Sequence, residues 1–130
     1  AIGKISPKQK ELYKIVKNSQ KQSKNLIFSG QKCSDSDKKA REIFKAANLE
    51  QYFIHSLGHG LGQDVHEFPR LASSSADELK AGMVVTCEPG IYLPGWGGIR
   101  IEDDLWVQAN ASLWLSQSPE ELRVVGKKRQ

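Results

Sequence analysis

The sequence predicts an α+β fold, two helices followed by an antiparallel or mixed sheet. Three observations carry this. A capped apolar stripe begins near Ser6. A second stripe, Ala40, Ile43, Phe44 and Ala47, has helical spacing. From Tyr52 onward short β-branched and aromatic runs alternate with glycine turns.

Ser6-Pro7-Lys8-Gln9 reads as a helix start. Ser6 can accept from the first turn, Pro7 has no N–H to leave orphaned, and Gln9 completes a capping box. Leu12, Tyr13, Ile15 and Val16 give the stripe, and beyond Ser19 the face turns polar. Leu26-Ile27-Phe28 is expected to dock the helix exit, and Ser29-Gly30 to end it. The second helix is expected from Ser34, with Asp37 as its capping-box partner and Asn48 as its stop. Tyr52-Phe53-Ile54 then reads as strand material, which would turn His55 and His59 to one side. Met83 to Glu88 is expected to be a strand closed by Pro89-Gly90, and Pro94 to Gly98 a turn. Ile99-Arg100-Ile101-Glu102 alternates, placing Arg100 and Glu102 on one face, and Leu105-Trp106-Val107 continues that strand.

A chain of 130 residues can form one domain, burying roughly two thirds of its unfolded surface. No apolar run approaches the ~20 residues of a membrane span, so no membrane role is expected. No signal peptide is visible either. Cys33 and Cys87 form no CxxC pair and read as reduced thiols of a cytoplasmic protein. Residues 1–50 carry 12 Lys and Arg against 5 Asp and Glu, whereas residues 51–126 carry 4 against 10. Lys127-Lys128-Arg129 adds positive charge at the end. The lysines follow a helical pattern without interleaved aromatics, so they read as solvated helix faces and no nucleic-acid partner is expected. The acidic half suits a cation.

All three histidines, His55, His59 and His66, fall in that acidic half within twelve positions. Glu88 ends an apolar strand, where a carboxylate needs compensation, by Arg100 or by a metal. Glu102 is flanked by isoleucine and aspartate, and Asp103-Asp104 reads either as a solvated turn or as support for a site. Arg70 stands four residues after His66, which excludes an HExxH zinc helix, and Gln63 breaks the GxGxxG spacing. Imidazole with two carboxylates suits Mn²⁺, Co²⁺, Fe²⁺ or Zn²⁺. Two carboxylates can bridge a metal pair and support metal-assisted hydrolysis, with the remaining histidines stabilising an oxyanion or moving a proton.

Three ordered segments carry a family resemblance. His55 to Gly62 with Asp64 to Pro69, then Leu79 to Tyr92, then Gly97 to Asp104, resemble the pita-bread metallopeptidases, and among them the Xaa-Pro peptidases, aminopeptidase P and prolidase. The resemblance spans residues 1 to about 125. It implies the second half of the pita-bread (creatinase/aminopeptidase) fold, two helices followed by a curved, mainly antiparallel sheet. It implies two divalent metal ions, Mn²⁺ or Co²⁺ before Zn²⁺ or Fe²⁺, and hydrolysis of the peptide bond preceding proline in a peptide substrate. His59, Glu88 and Glu102 match metal ligands of the family. His55 and His66 match substrate-facing catalytic histidines, Arg100 an arginine beside the last ligand, and Glu88 is implied as general base as well.

The family's two aspartate ligands have no match. Ala1 to Lys4 resembles the residues that follow the second aspartate, Asp35 and Asp37 match a helix start, and Asp64 matches no ligand. Residues 1–130 are therefore expected to be a single partial catalytic domain lacking the amino-terminal half-repeat, inactive alone. That half is expected from the full-length chain, or a homodimer partner could complete the protein. The alternative is a non-catalytic pita-bread module that binds a peptide or partner protein.

Overall fold

A computed structural model describes residues 1–126, so the terminal positive charge lies outside the described residues. Helices α1 (Pro7–Lys24) and α2 (Cys33–Ala46) come first, followed by a 3-10 turn at Glu50–Tyr52. Strands β1 (Gly58–Gly60), β2 (Glu67–Leu71), β3 (Val84–Cys87), β4 (Gly90–Leu93), β5 (Gly97–Arg100), β6 (Asp103–Val107) and β7 (Ser112–Trp114) complete the chain. The main sheet has the order β2-β1-β3-β6-β7, all pairs antiparallel, and β4-β5 form a separate hairpin. The α+β expectation holds.

Helix α1 starts as the sequence requires. Gln9 N–H donates to Ser6 Oγ at 3.2 Å, and Ser6 N–H donates to Gln9 Oε1 at 2.8 Å. It ends earlier than expected, at Lys24, where Leu26 N–H and Ile27 N–H close tight turns onto Ser23 and Lys24. That turn drops Ile27 into the core outside the helix. The polar stretch after Val16 is buried: Ser19, Gln20 and Ser23 lie on the same stripe as Leu12 and Val16, facing inward. Helix α2 corrects the second capping box. It begins at Cys33, its N-cap Lys32 has no side-chain cap bond, and Asp37 turns into the interior instead. The stop holds, since Asn48 takes φ 58° just beyond the helix.

Two strand expectations are corrected. Tyr52-Phe53-Ile54 forms no strand, because Phe53 packs edge-on against Phe44 at 5.2 Å and pulls the chain out of any ladder. Residues 99–107 are two strands in two sheets, with Ile101 and Glu102 in the break between them. The Met83–Glu88 strand is observed as Val84–Cys87.

The core joins Leu12 and Val16 of α1, Ala40 and Phe44 of α2, and Leu57, Leu71, Val85, Leu105 and Val107 from the sheet side. Strand β1 fits between β2 and β3 because of its glycines. A Cβ at Gly58 would overlap the Thr86 carbonyl, and one at Gly60 the Phe68 carbonyl. Both thiols are free and buried, and desolvation pushes Cys33 up to about 11 and Cys87 further. Among the described residues, no helix is long and apolar enough to cross a membrane.

Candidate metal centre

His59 occupies the middle of β1, between two paired strands. Its ring Nδ1 lies 2.9 Å from the Gly60 carbonyl oxygen. A carbonyl only accepts, so Nδ1 carries a proton, and in the neutral ring Nε2 holds the lone pair. That Nε2 faces Glu88 Oε1 at 3.3 Å. Two acceptors at that distance need a proton or a cation between them.

Glu88 follows β3 directly and its side chain is 13% exposed. Thr86 sets its orientation. Two residues apart on an alternating strand, they share a face, and Thr86 Oγ1 donates to Glu88 Oε1 at 3.0 Å. The same hydroxyl accepts the His59 backbone N–H at 3.1 Å. One buried threonine thus ties the imidazole strand to the carboxylate strand.

Glu102 enters from the β5–β6 break. Arg100 stands between the two carboxylates, its Nε 3.4 Å from Glu102 Oε2 and 3.9 Å from Glu88 Oε2. Desolvation raises the Glu102 pKa first, and repulsion from Glu88 adds to it, with Arg100 opposing. Among the described residues no group of three His, Cys, Asp or Glu side chains is drawn close enough to hold a metal ion as it stands. The donor chemistry nevertheless fits one. His59 Nε2 faces the Glu88 carboxylate, and the Glu102 carboxylate stands on the other side of Arg100, which together make a locus for a divalent cation.

His55 is not on β1; it sits in a bend before it. The expected shared strand face with His59 is therefore corrected. All three histidines still line one open cleft of about 710 Å³, together with Phe68, Arg70 and Asp77. The His59 and His66 rings meet edge-on at 4.6 Å. His55 Nδ1 lies 2.8 Å from the Ser56 carbonyl and so donates to it, leaving Nε2 to accept from the Tyr92 hydroxyl at 3.1 Å. Glu102 borders a different hollow, of about 340 Å³, between α1 and residues 114–120.

The bend that carries His55 is held from α2. Asp37 Oδ1 accepts the Leu57 N–H at 2.8 Å, and its Oδ2 accepts from Arg41 Nε at 2.8 Å. Arg41 then donates to the carbonyls of Phe53, at 3.2 Å, and His55, at 2.9 Å. Sequence reasoning missed Thr86, Tyr92, Asp37 and Arg41 as parts of the site. Thr86 was findable, being two residues from Glu88 on an alternating strand. Tyr92 gave no local signal.

A helix pair backing an antiparallel sheet, with one histidine on a strand, two beside it in a common cleft and glutamates just beyond strand ends, defines part of a pita-bread metallopeptidase domain. The sequence profile of metallopeptidase family M24 matches residues 1–109, and the chain belongs to that family. It is 43% identical over 121 residues to an Xaa-Pro dipeptidase of Pyrococcus furiosus, covering 93% of this chain and 35% of that protein. The solved Xaa-Pro dipeptidase from Bacillus anthracis superposes with a TM-score of 0.92 at 42% identity, over 96% of this chain and 35% of that one. An X-Pro aminopeptidase from Thermotoga maritima gives a TM-score of 0.92 at 36% identity, over 96% and 36%. The chain thus spans about a third of the length of these relatives.

Proposed function

We propose that the intact protein hydrolyses the peptide bond preceding proline, as an Xaa-Pro dipeptidase or aminopeptidase, with two divalent metal ions. His59, Glu88 and Glu102 are the ligands this chain supplies, and two aspartates from the other half-repeat complete the set. Mn²⁺ or Co²⁺ are the first choices, Zn²⁺ or Fe²⁺ the next. Bound there, the ions would supply Lewis-acid polarisation of the scissile carbonyl and an acidified water.

The chain's own residues do the rest. Glu88 takes up the proton released by the attacking water at Oε2, the oxygen that Thr86 leaves free. His55 and His66 face the substrate from the cleft and stabilise the charge that develops on the carbonyl oxygen. Arg100 steadies Glu88 and Glu102 from between them. Proline suits such an enzyme because its tertiary amide offers no N–H for a general peptidase to grip. Residues 1–130 act as a partial catalytic domain, inactive without the remaining half. A cytoplasmic setting, compatible with two free buried thiols, belongs to the same proposal.

The observation that carries the reading is His59 Nε2 facing Glu88 Oε1 at 3.3 Å while Nδ1 is engaged by the Gly60 carbonyl. The test is Xaa-Pro hydrolysis by the intact protein, with chelation, Mn²⁺ return and Glu88→Ala. Activity lost on chelation and restored by Mn²⁺ is expected. Chelation-resistant hydrolysis would overturn the metal role. Manganese binding unchanged in Glu88→Ala, with no hydrolysis in the wild type, would favour a non-catalytic peptide-binding module.

A further inference from the structure

Gln20 is a buried amide on the apolar stripe of α1, only 4% exposed. Its Nε2 lies 3.2 Å from the Cys87 carbonyl, 3.3 Å from the Ile101 carbonyl and 3.0 Å from Asp103 Oδ2. Cys87 immediately precedes Glu88, and Ile101 immediately precedes Glu102. One side chain therefore reaches the peptide units leading into both carboxylates. The two hydrogens of the amide are shared among three acceptors.

The need for such a tie follows from the topology. Glu102 lies in the gap between β5 and β6, outside any strand ladder. Beside the strand pairs at Arg100 and Asp103, the gap is flanked by Ile101 N–H to the Pro89 carbonyl at 3.3 Å, Asp104 N–H to Ser116 Oγ at 2.8 Å and Leu115 N–H to the Asp104 carbonyl at 2.9 Å. Glu88 leaves β3 at the matching point, since Cys87 pairs with Asp103 in the sheet. Two like-charged side chains thus emerge from two strand ends. A core position at helical spacing from Leu12 and Val16 would ordinarily be apolar. The amide there is retained at the cost of desolvation.

We propose that Gln20 is a positioning residue of the metal centre: it fixes the spacing of Glu88 and Glu102 through their preceding carbonyls, and so sets metal affinity without touching metal or substrate. The proposal rests on the metal-centre reading above. Its chemistry is that of an outer hydrogen-bonding shell, whose removal typically lowers metal affinity or activity by about 10–100-fold.

The test compares Gln20→Met, which keeps the volume and removes the donors, with wild type and Glu88→Ala in the intact protein. Mn²⁺ binding is measured by calorimetry, with kcat and KM for an Xaa-Pro peptide and the melting temperature of the metal-free form. Expected for Gln20→Met is Mn²⁺ affinity lowered about tenfold or more, with KM at saturating Mn²⁺ unchanged. Wild-type affinity in a folded Gln20→Met protein would overturn the proposal. A raised KM with unaltered Mn²⁺ affinity would do the same, since it would move the role to the substrate side. Should Gln20→Met not fold, Gln20→Asn carries the test, keeping the amide but shortening its reach. Weakened Mn²⁺ binding by folded Gln20→Asn supports the proposal, and wild-type binding overturns it. If the wild-type protein binds no Mn²⁺ and Glu88→Ala changes nothing, the metal reading itself has failed, a distinct result.

Discussion

Asp37 and Glu102 are acidic groups that each face an arginine, the first fully buried and the second 41% exposed, and their surroundings treat them differently. Asp37 is fully buried and satisfied: one oxygen takes the Leu57 N–H, the other the Arg41 guanidinium. Glu102 has Arg100 beside it, but it also has Glu88, and burial with that repulsion raises its pKa. The first arrangement is complete as it stands and anchors the bend that bears His55. The second is left under tension that a cation would relieve. The difference separates a carboxylate kept for the fold from carboxylates held for a ligand. It can be broken by mutations that act in opposite senses on the two.

The largest effect is expected at Glu88. If it both binds metal and accepts the water proton, Glu88→Gln should lower kcat of the intact protein by on the order of 10³ or more, since general base catalysis alone contributes about 10²–10⁴. The folded protein should remain, because Thr86 Oγ1 can still donate to the amide oxygen. Steady-state kinetics together with circular dichroism check both halves. On the other side of the comparison, Asp37→Ala strands the Leu57 N–H and leaves Arg41 without its partner. Breaking a buried pair of this kind costs about 3–5 kcal/mol, towards the lower end because Arg41 is 27% exposed. Urea unfolding of the intact protein measures it. A smaller loss than about 1 kcal/mol would place Asp37 with the surface ion pairs and dissolve the contrast.

Thr86 connects the two regions, and its variants should have an intermediate effect. Thr86→Val keeps the shape but leaves the His59 N–H buried without an acceptor, a penalty of about 1–3 kcal/mol. It also frees Glu88 to rotate, so weaker Mn²⁺ binding should accompany the stability loss. Thr86→Ser restores the hydroxyl and should restore both. Calorimetry and thermal melts on the pair separate lost packing from a lost hydrogen bond.

How legible this was depended on what each residue does. Histidines and glutamates declared themselves by type and clustering, and the Ser6–Gln9 cap by its local spacing. The supporting residues did not. Asp37 was read as a capping partner because local rules see only three residues ahead, whereas its partner Leu57 lies twenty residues on. Gln20 was read as the fading of an apolar face, although at four residues from Val16 it continues that face. The β5–β6 break was invisible because alternation of Ile99, Arg100, Ile101 and Glu102 looks the same within one strand or across two. Long-range hydrogen bonding decided all three, and periodicity carries no record of it.

The smallest effect is also the most discriminating. A carboxyl raised in the folded state binds its proton more tightly there than in the unfolded chain. Folding therefore loses stability as pH rises from the ordinary Glu value of 4.5 through the raised value, and neutral pH carries the whole cost. Because Glu102 is 41% exposed, solvent screens much of this and the change should be slight. Metal-free Glu102→Gln should accordingly melt a little above wild type at pH 7, with the gap closing near pH 4. Saturating Mn²⁺ should reverse the order, since wild type gains about 2.7 kcal/mol at a hundredfold excess over its Kd while the variant binds less. Asp37→Asn should show no reversal with Mn²⁺, because no ligand relieves a group already satisfied. If Glu102→Gln instead destabilises the metal-free protein at neutral pH, Arg100 compensates Glu102 fully. The two carboxylates would then be of one kind, both built for the fold.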